Sequence, residues 1–180
     1  VGSEMCIRDR RQLVQQMSHI DHLLKKDWYL LETRPESPFY VSDNPVVLKN
    51  SNDFGPYGNL GLAVRGIQIY LPLSSTLMLA MYCPSIREQM IRQKQHLHNL
   101  LARAPHLIPR HIRPFERLEH IRRYTDYLFM PLTPDHVTHY NALQVEFAEQ
   151  YVFCGEKDFS LVERMLADSE RYRTGPRFTF

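Results

Sequence analysis

The sequence has no apolar run long enough to cross a membrane. Its most apolar segment, residues 67–83, is interrupted by Pro72, Ser74 and Ser75, whereas a membrane-spanning helix needs about 20 uninterrupted apolar residues. The composition, 43% hydrophobic and 23% charged over 180 residues, is ordinary for a folded domain. We therefore expect a soluble protein with no membrane partner and one core, rich in aromatic side chains.

Cysteine is scarce as well. The three cysteines, Cys6, Cys83 and Cys154, form an odd number and lack the spacing of metal ligands. This pattern favours a reducing compartment over a disulfide framework. We expect a cytoplasmic protein.

Glycine is sparse, and four of the seven glycines fall within residues 55–66. Their spacing matches neither a Walker A loop, which requires a following Gly-Lys-Ser/Thr, nor the dinucleotide-binding fingerprint. We therefore interpret residues 51–66 as a long connecting loop and expect no cofactor.

Apolar residues repeat with two different periods along the chain. Period-two alternation and apolar β-branched runs predict strands, with an antiparallel pair formed by residues 28–33 and 38–42 and a hairpin formed by residues 67–73 and 76–82. Further short strands are predicted at residues 46–48, 128–132 and 151–154. Helical spacing predicts helices at residues 10–26, 85–104, 115–124, 133–150 and 159–172.

These segments together predict one α+β domain over residues 11–180. Its mostly antiparallel sheet has about five strands packed with helices, and the second strand of the hairpin is central.

Two helix starts are predicted from capping residues. Ser85 with Glu88 fits a capping box, and Thr133 precedes Pro134, which suits the first helical position.

The first ten residues differ from the rest. They resemble the translated adapter sequence that recurs at the ends of open reading frames in metagenomic assemblies, and segments of that kind are excluded from fold reasoning. Glu4, Arg8 and Asp9 leave no apolar stretch for a signal peptide. We expect residues 1–10 to be an artefact, so that Cys6 is not native.

The best candidate for a polar site is Ser42-Asp43-Asn44-Pro45. At a strand end, Ser42, Asp43 and Asn44 can project a hydroxyl, a carboxylate and an amide into one pocket, which makes them candidate catalytic residues. The alternative is an Asx-type turn in which these side chains bond backbone groups. A penicillin-binding site is excluded because Ser-x-x-Lys and Lys-Thr-Gly are missing.

Residues 86–123 form a basic segment. It holds nine Arg and Lys against three Glu, a net charge of +6 in a chain that carries +2, and five of the nine His. The candidates for contacting nucleic-acid phosphates are Arg113, Arg117, Arg122 and Arg123. The alternative is a solvated helix face whose arginine stems lie over the core.

Two histidine pairs, His19/His22 and His136/His139, have the i, i+3 spacing of ligands on one helix face. Neither pair is accompanied by a cysteine or carboxylate cluster in a recognised pattern. We therefore predict no metal site.

Three motifs are informative together. They are the stretch Pro-Phe-Tyr-Val-Ser-Asp-Asn-Pro-Val at residues 38–46, Ile-Tyr-Leu-Pro-Leu-Ser at residues 69–74, and a helix with Asn141, Gln144 and Ala148 that leads to Tyr-Val-Phe at residues 151–153. The combination resembles a bacterial family known as domain of unknown function 4238, over residues 28–166.

The resemblance brings no activity or cofactor with it. Members of that family usually begin with a His-containing segment followed by a Val-Pro and a Tyr-Leu pair, and nothing in this sequence matches them. The resemblance therefore implies a C-terminal fragment in which part of any shared site is missing.

Asn141 and Gln144 are candidate binding residues. Because an amide on a largely apolar helix needs hydrogen-bond partners when it is buried, we expect Asn141 to face the turn at Asp43 and help to fix it.

Two functions stay open. The favoured one is a non-catalytic binding or interaction domain that contacts nucleic acid through the basic segment, because no catalytic constellation is complete. The alternative is a hydrolase or nuclease that pairs Asp43 and Asn44 with a histidine from the missing N-terminal segment. Whether the protein is an enzyme is thus undecided, since a fold alone does not fix a function.

Overall fold

The computed structural model describes residues 19–50, 52, 60–109, 111–128 and 132–173. The prediction for residues 1–10 lies outside these ranges, as do the first half of the helix predicted at residues 10–26, half of the loop at 51–66 and the middle of the strand at 128–132. Helix α1 is described at residues 19–24.

Within the described ranges, six strands form two antiparallel sheets. In chain order they are β1 (Asp27–Glu32), β2 (Val41–Ser42), β3 (Val47–Asn50), β4 (Ile67–Pro72), β5 (Leu77–Tyr82) and β6 (Val152–Phe153). The main sheet has the order β1-β5-β4-β3, and β2 pairs with β6 in a separate two-stranded sheet. The predicted hairpin is confirmed as β4 and β5, and β5 is central between β4 and β1.

The predicted pairing of residues 28–33 with residues 38–42 is wrong. β1 pairs with β5 along its whole length, whereas β2 pairs with β6. Pro38 has no N–H to donate to a sheet. The amide of Phe39 donates instead to the carbonyl of Ser75, at 2.8 Å, so the chain after β1 passes the turn between β4 and β5 rather than folding back on β1.

The helices after the hairpin are α2 (Pro84–Arg103), α3 (Pro114–Thr125), α4 (Pro134–Phe147) and α5 (Ser160–Asp168). Short 3₁₀ turns lie at Pro105–Leu107 and Glu170–Arg173. A proline opens α2, α3 and α4, where its fixed φ suits the helix and its missing N–H has no helical partner to lose. No helix in the described ranges has both the length and the apolar character to span a membrane.

The predicted cap at Thr133 is confirmed, and the predicted capping box at Ser85 is wrong. The Thr133 hydroxyl accepts from the amide of His136 at 3.4 Å, and Nδ1 of His136 accepts from the amide of Thr133 at 3.3 Å. α2 begins at Pro84 instead, with Cys83 as its N-cap. Ser85 therefore lies inside the first turn, where its hydroxyl donates to the Cys83 sulfur.

The main sheet lies between two apolar clusters. The helix-facing cluster contains the buried residues Tyr29, Leu31, Phe39, Val47, Tyr70, Met78, Ala80, Tyr82, Tyr124, Val137 and Leu143. On the other face, Ile67, Ile69 and Met81 are buried, with Leu23 of α1 and Leu62 packed against them. The predicted α+β class and the antiparallel sheet are thus confirmed.

Replacement of Met78 by alanine should lower the free energy of unfolding by about 2 to 5 kcal/mol, because the fully buried side chain would leave a cavity. Urea unfolding followed by circular dichroism measures this loss. Leu73→Ala is the control, since Leu73 is 54% exposed and its truncation should cost no more than about 0.5 kcal/mol. Equal losses at the two positions would contradict the placement of Met78 in the core.

Candidate functional site

Two side-chain amides of α4 hold the chain between Pro38 and Pro45. Oδ1 of Asn141 accepts from the amide of Tyr40 at 2.8 Å, and its Nδ2 donates to the carbonyl of Pro38 at 2.9 Å. Gln144 repeats the arrangement farther along the segment. Its Oε1 accepts from the amide of Ser42, and its Nε2 donates to the carbonyl of Pro45, both at 3.0 Å.

These bonds take the place of a neighbouring strand. Asn141 and Gln144 are three residues apart and lie on the same side of α4, and each presents one acceptor and one donor to the extended backbone. Both side chains are buried. Because the oxygen and the nitrogen of each side-chain amide have a partner, burial leaves neither atom without a hydrogen bond.

Asn141 lies nearer the start of this segment than the sequence suggested. It bonds Pro38 and Tyr40, whereas Gln144, almost one helical turn farther along α4, bonds the residues on either side of the Asp43–Asn44 corner. The prediction that Asn141 fixes the turn at Asp43 is therefore wrong: Asn141 holds residues 38–40, and Gln144 holds the backbone on either side of the turn.

Asp43 joins the same corner to the chain that follows α4. Its carboxylate accepts from the backbone amides of Glu149, Gln150 and Tyr151, at 2.9, 2.8 and 3.1 Å. Loss of hydration acts to raise the pKa of Asp43, but these backbone hydrogen bonds outweigh it and hold the pKa below its ordinary value. The carboxylate thus receives the amides of three residues that follow the end of α4.

Ser42 and Asn44 complete this polar cluster. The Ser42 hydroxyl lies 2.9 Å from both Gln144 Oε1 and the carbonyl of Asn44. Nδ2 of Asn44 donates to the carbonyl of Phe147 at 3.2 Å. The structure therefore brings together Ser42, Asp43, Asn44, Asn141 and Gln144. Only the bond from Ser42 to Asn44 is local, whereas Asp43 and Asn44 bond the backbone of residues 147–151 rather than that of their own turn.

The arginine candidates lie apart from this cluster, on α3 and at its start. Arg113 pairs with Glu116 at 3.1 Å, while Arg122 and Arg123 both pair with Glu119, at 2.8 and 2.9 Å. The hydrogen bond from Arg122 is the main reason that the pKa of Glu119 falls to about 2. Arg117 donates to the side-chain carbonyl of Gln93. Three of the four arginines are thus already paired with carboxylates.

A cavity of about 260 Å³ lies between the main sheet and helices α2, α3 and α4. We call it the tyrosine pocket. Its lining is five tyrosines, three histidines, one glutamine and three apolar residues: Tyr29, Tyr70, Tyr82, Tyr124, Tyr140, His120, His136, His139, Gln68, Leu31, Ile86 and Met90. The volume is near the lower end of the range for small-molecule sites.

The tyrosine rings form a continuous aromatic wall. The ring centroids of Tyr29 and Tyr124 are 4.8 Å apart, those of Tyr82 and Tyr124 are 5.7 Å apart, and those of Tyr70 and Tyr140 are 4.9 Å apart. Burial raises the pKa of all five tyrosines. Their hydroxyls therefore stay protonated at neutral pH and can act as hydrogen-bond donors.

One of these hydroxyls is buried without a hydrogen bond of ordinary geometry. The Tyr70 hydroxyl donates to Oε1 of Gln68, and that of Tyr29 donates to the backbone carbonyl of Tyr124 at 2.9 Å. The Tyr124 hydroxyl makes no such bond among the residues that the structure describes. Burial is the main cause that raises its pKa, and a side-chain hydrogen bond with Tyr29 acts in the same direction, so this hydroxyl interacts with its neighbour in the aromatic wall.

Three histidines lie at the edge of the pocket. Loss of hydration, with Lys49 and His136 nearby, lowers the pKa of His139, and loss of hydration, with Arg117 and His136 nearby, lowers the pKa of His120. Both rings are therefore mostly neutral at pH 7. Over the described ranges, no group of three or more His, Cys, Asp or Glu is arranged to hold a metal ion.

The tyrosine pocket was not predicted from the sequence. The abundance of aromatic residues indicated only an aromatic core, and His136 and His139 were candidates only as metal ligands. The available signal was the strand alternation, which puts Tyr29, Tyr70 and Tyr82 at inward positions of three different strands. Tyrosine at these positions places hydroxyl groups in the core, whereas leucine or phenylalanine would place no polar group there.

The fold and these two sites define an α+β domain with a polar corner on one side of α4 and a tyrosine pocket beside it. The model of the family described as "Protein of unknown function (DUF4238)" matches residues 10–158. The chain belongs to this family. No curated protein matches the chain, and no solved structure matches it.

Replacement of Gln144 by leucine should destabilise the domain by roughly 2 to 4 kcal/mol, because the buried amide of Ser42 and the carbonyl of Pro45 would lose their partners. Chemical unfolding measures the change. Gln95→Leu is the control on the exposed side of α2. A Gln144→Leu protein as stable as this control would show that these bonds do not hold the segment.

Replacement of Asp43 by asparagine should destabilise the protein at neutral pH, since the neutral amide has one acceptor atom where the carboxylate has two. The pKa of Asp43 is lower in the folded state, so its contribution is fully present above the unfolded value of 3.8 and disappears as the pH falls through the folded pKa. The difference in unfolding free energy between the two proteins, measured from unfolding curves from pH 7 to pH 3, should therefore be constant near neutral pH and become smaller as the pH falls below 3.8. A difference that persists unchanged at pH 3 would contradict this role for the carboxylate.

Proposed function

We propose that this domain is a binding module whose small-molecule ligand occupies the tyrosine pocket. The observation that carries the proposal is the cavity of about 260 Å³ between the main sheet and three helices, which is lined by tyrosine rings, apolar side chains and three histidines. A small ligand would fill this space and contact the histidines at its edge. Concave sites with apolar walls and a few inward polar groups are typical of ligand-binding pockets.

A hydrolase or nuclease centred on the Ser42–Pro45 corner draws little support from the geometry. The Asp43 carboxylate already accepts three backbone amides, and Asn44 is bonded to the end of α4. A general base must reach a proton of the substrate or of a water, and using this carboxylate would break bonds that connect two parts of the fold.

Contact with nucleic acid through the basic segment is also less favoured than ligand binding. Arg113, Arg122 and Arg123 pair with Glu116 and Glu119, so a phosphate would have to compete with carboxylates for these guanidinium groups. Exposed pairs of this kind are weak. They nevertheless reduce the positive potential that attracts a polyanion over this face.

A screen of small aromatic and aliphatic compounds by two-dimensional amide NMR tests the proposal. We expect binders to shift the amides of pocket residues, and binding to be lost in Met90→Trp, where the indole occupies the cavity. Gln95→Trp places the same ring on the exposed side of the same helix, so it should bind as the wild type does. Circular dichroism of both variants checks that they fold.

The proposal fails if no compound shifts the pocket amides of the folded wild-type protein. It also fails if the binders found are unaffected by the tryptophan at position 90. In either case the cavity would be a packing defect of the fold rather than a binding site.

A further inference from the structure

We propose that the ligand of the tyrosine pocket is a small aromatic anion, with its ring among the tyrosines and its negative group at the histidine edge. This inference rests on the proposed binding function and adds the chemical class of the ligand. Three features of the pocket support it: the shape of its walls, the direction of its hydrogen bonds and the sign of the charges around it.

The walls favour a flat ring. Tyr29, Tyr82 and Tyr124 stack on one another, with the Tyr29 and Tyr124 rings only 24° from parallel. Leu31, Ile86 and Met90 contribute the remaining apolar surface. An aromatic ring that enters this space can stack or meet ring edges as the tyrosines do with each other, a geometry that stabilises aromatic pairs beyond simple burial.

The polar groups of the pocket are mainly donors. Nδ1 of His136 accepts from the amide of Thr133, so the neutral ring carries its proton on Nε2. Nε2 of His139 lies 3.0 Å from the ammonium of Lys49, which has protons only to donate, so the His139 proton is on Nδ1. A ligand that matches these two imidazole N–H groups must bring acceptors.

The charged side chains at the histidine edge of the pocket are positive, whereas the Asp27 carboxylate acts on Tyr29 and Tyr124. None of the described residues that line the pocket is acidic. Lys49 is bonded to His139 on one side, and Arg117 is close enough to His120 to lower the pKa of that imidazole. A carboxylate or similar anion at this edge would be attracted by both cations and would receive hydrogen bonds from the imidazoles, and charge-assisted bonds of this kind are stronger than neutral ones.

Titration of the wild-type protein with benzoate, benzamide and benzylamine, followed by amide NMR, compares a negative, a neutral and a positive ligand with nearly the same ring. We expect benzoate to bind about tenfold more tightly than benzamide, and benzylamine to bind most weakly. Acetate, which has the anion without the ring, should bind more weakly than benzoate. The preference for benzoate over benzamide should decrease as salt is added, because the attraction is electrostatic.

The variants Lys49→Met and His139→Phe should bring the affinity for benzoate close to that for benzamide. Lys25→Met removes the same charge at an exposed residue outside the pocket, and it should leave the preference unchanged. If benzamide or benzylamine binds in the pocket as tightly as benzoate, the anionic assignment is wrong while the binding function stands. If none of the three rings shifts the pocket amides, the aromatic class is wrong, and the broader screen with Met90→Trp decides separately whether the pocket binds anything.

Discussion

The side-chain amides of Asn141 and Gln144 connect two parts of the chain that are about a hundred residues apart in sequence. Each of the two side chains offers one hydrogen-bond acceptor and one donor to the backbone between Pro38 and Pro45, as a neighbouring strand would. A helix cannot normally hydrogen-bond to an extended segment, because its own backbone groups are used internally. Two buried amides on the same side of α4 provide this link, and the Asp43 carboxylate extends it past the end of the helix.

The position of the tyrosine pocket follows from this connection. α4 contributes Tyr140, His136 and His139 to the pocket, and Tyr140 is the neighbour of Asn141 in sequence. With its amide-bearing side bonded to the segment around β2, the helix presents an adjacent side to the main sheet. The hydrogen bonds at the polar corner therefore hold one wall of the pocket in place, although none of the corner residues lines it. We regard the Ser42–Pro45 corner as structural support for a site built from other residues.

Most of the fold could be predicted from local patterns. The β4–β5 hairpin follows from alternation and a serine-rich turn, and the start of α4 follows from Thr133 and Pro134. The strands that pair with β1 and β2 could not be predicted in this way. Periodicity does not show which distant segments are hydrogen-bonded, and the bond of Gln144 to Ser42 is of this long-range kind. The amides of Asn141 and Gln144 did indicate that buried partners were needed. The pocket was missed because periodicity identifies which residues point inward but not how completely their side chains fill the space.

Hydrogen exchange at the amides of Tyr40 and Ser42 tests most directly whether side chains replace a strand here. Both amides donate to side-chain oxygens of α4 rather than to a backbone carbonyl. They should exchange as slowly as amides within β4 and β5, because their release requires the corner to open. Exchange as fast as that of exposed loop amides would show that this segment is not held by α4, and would contradict the account of both the corner and the pocket wall.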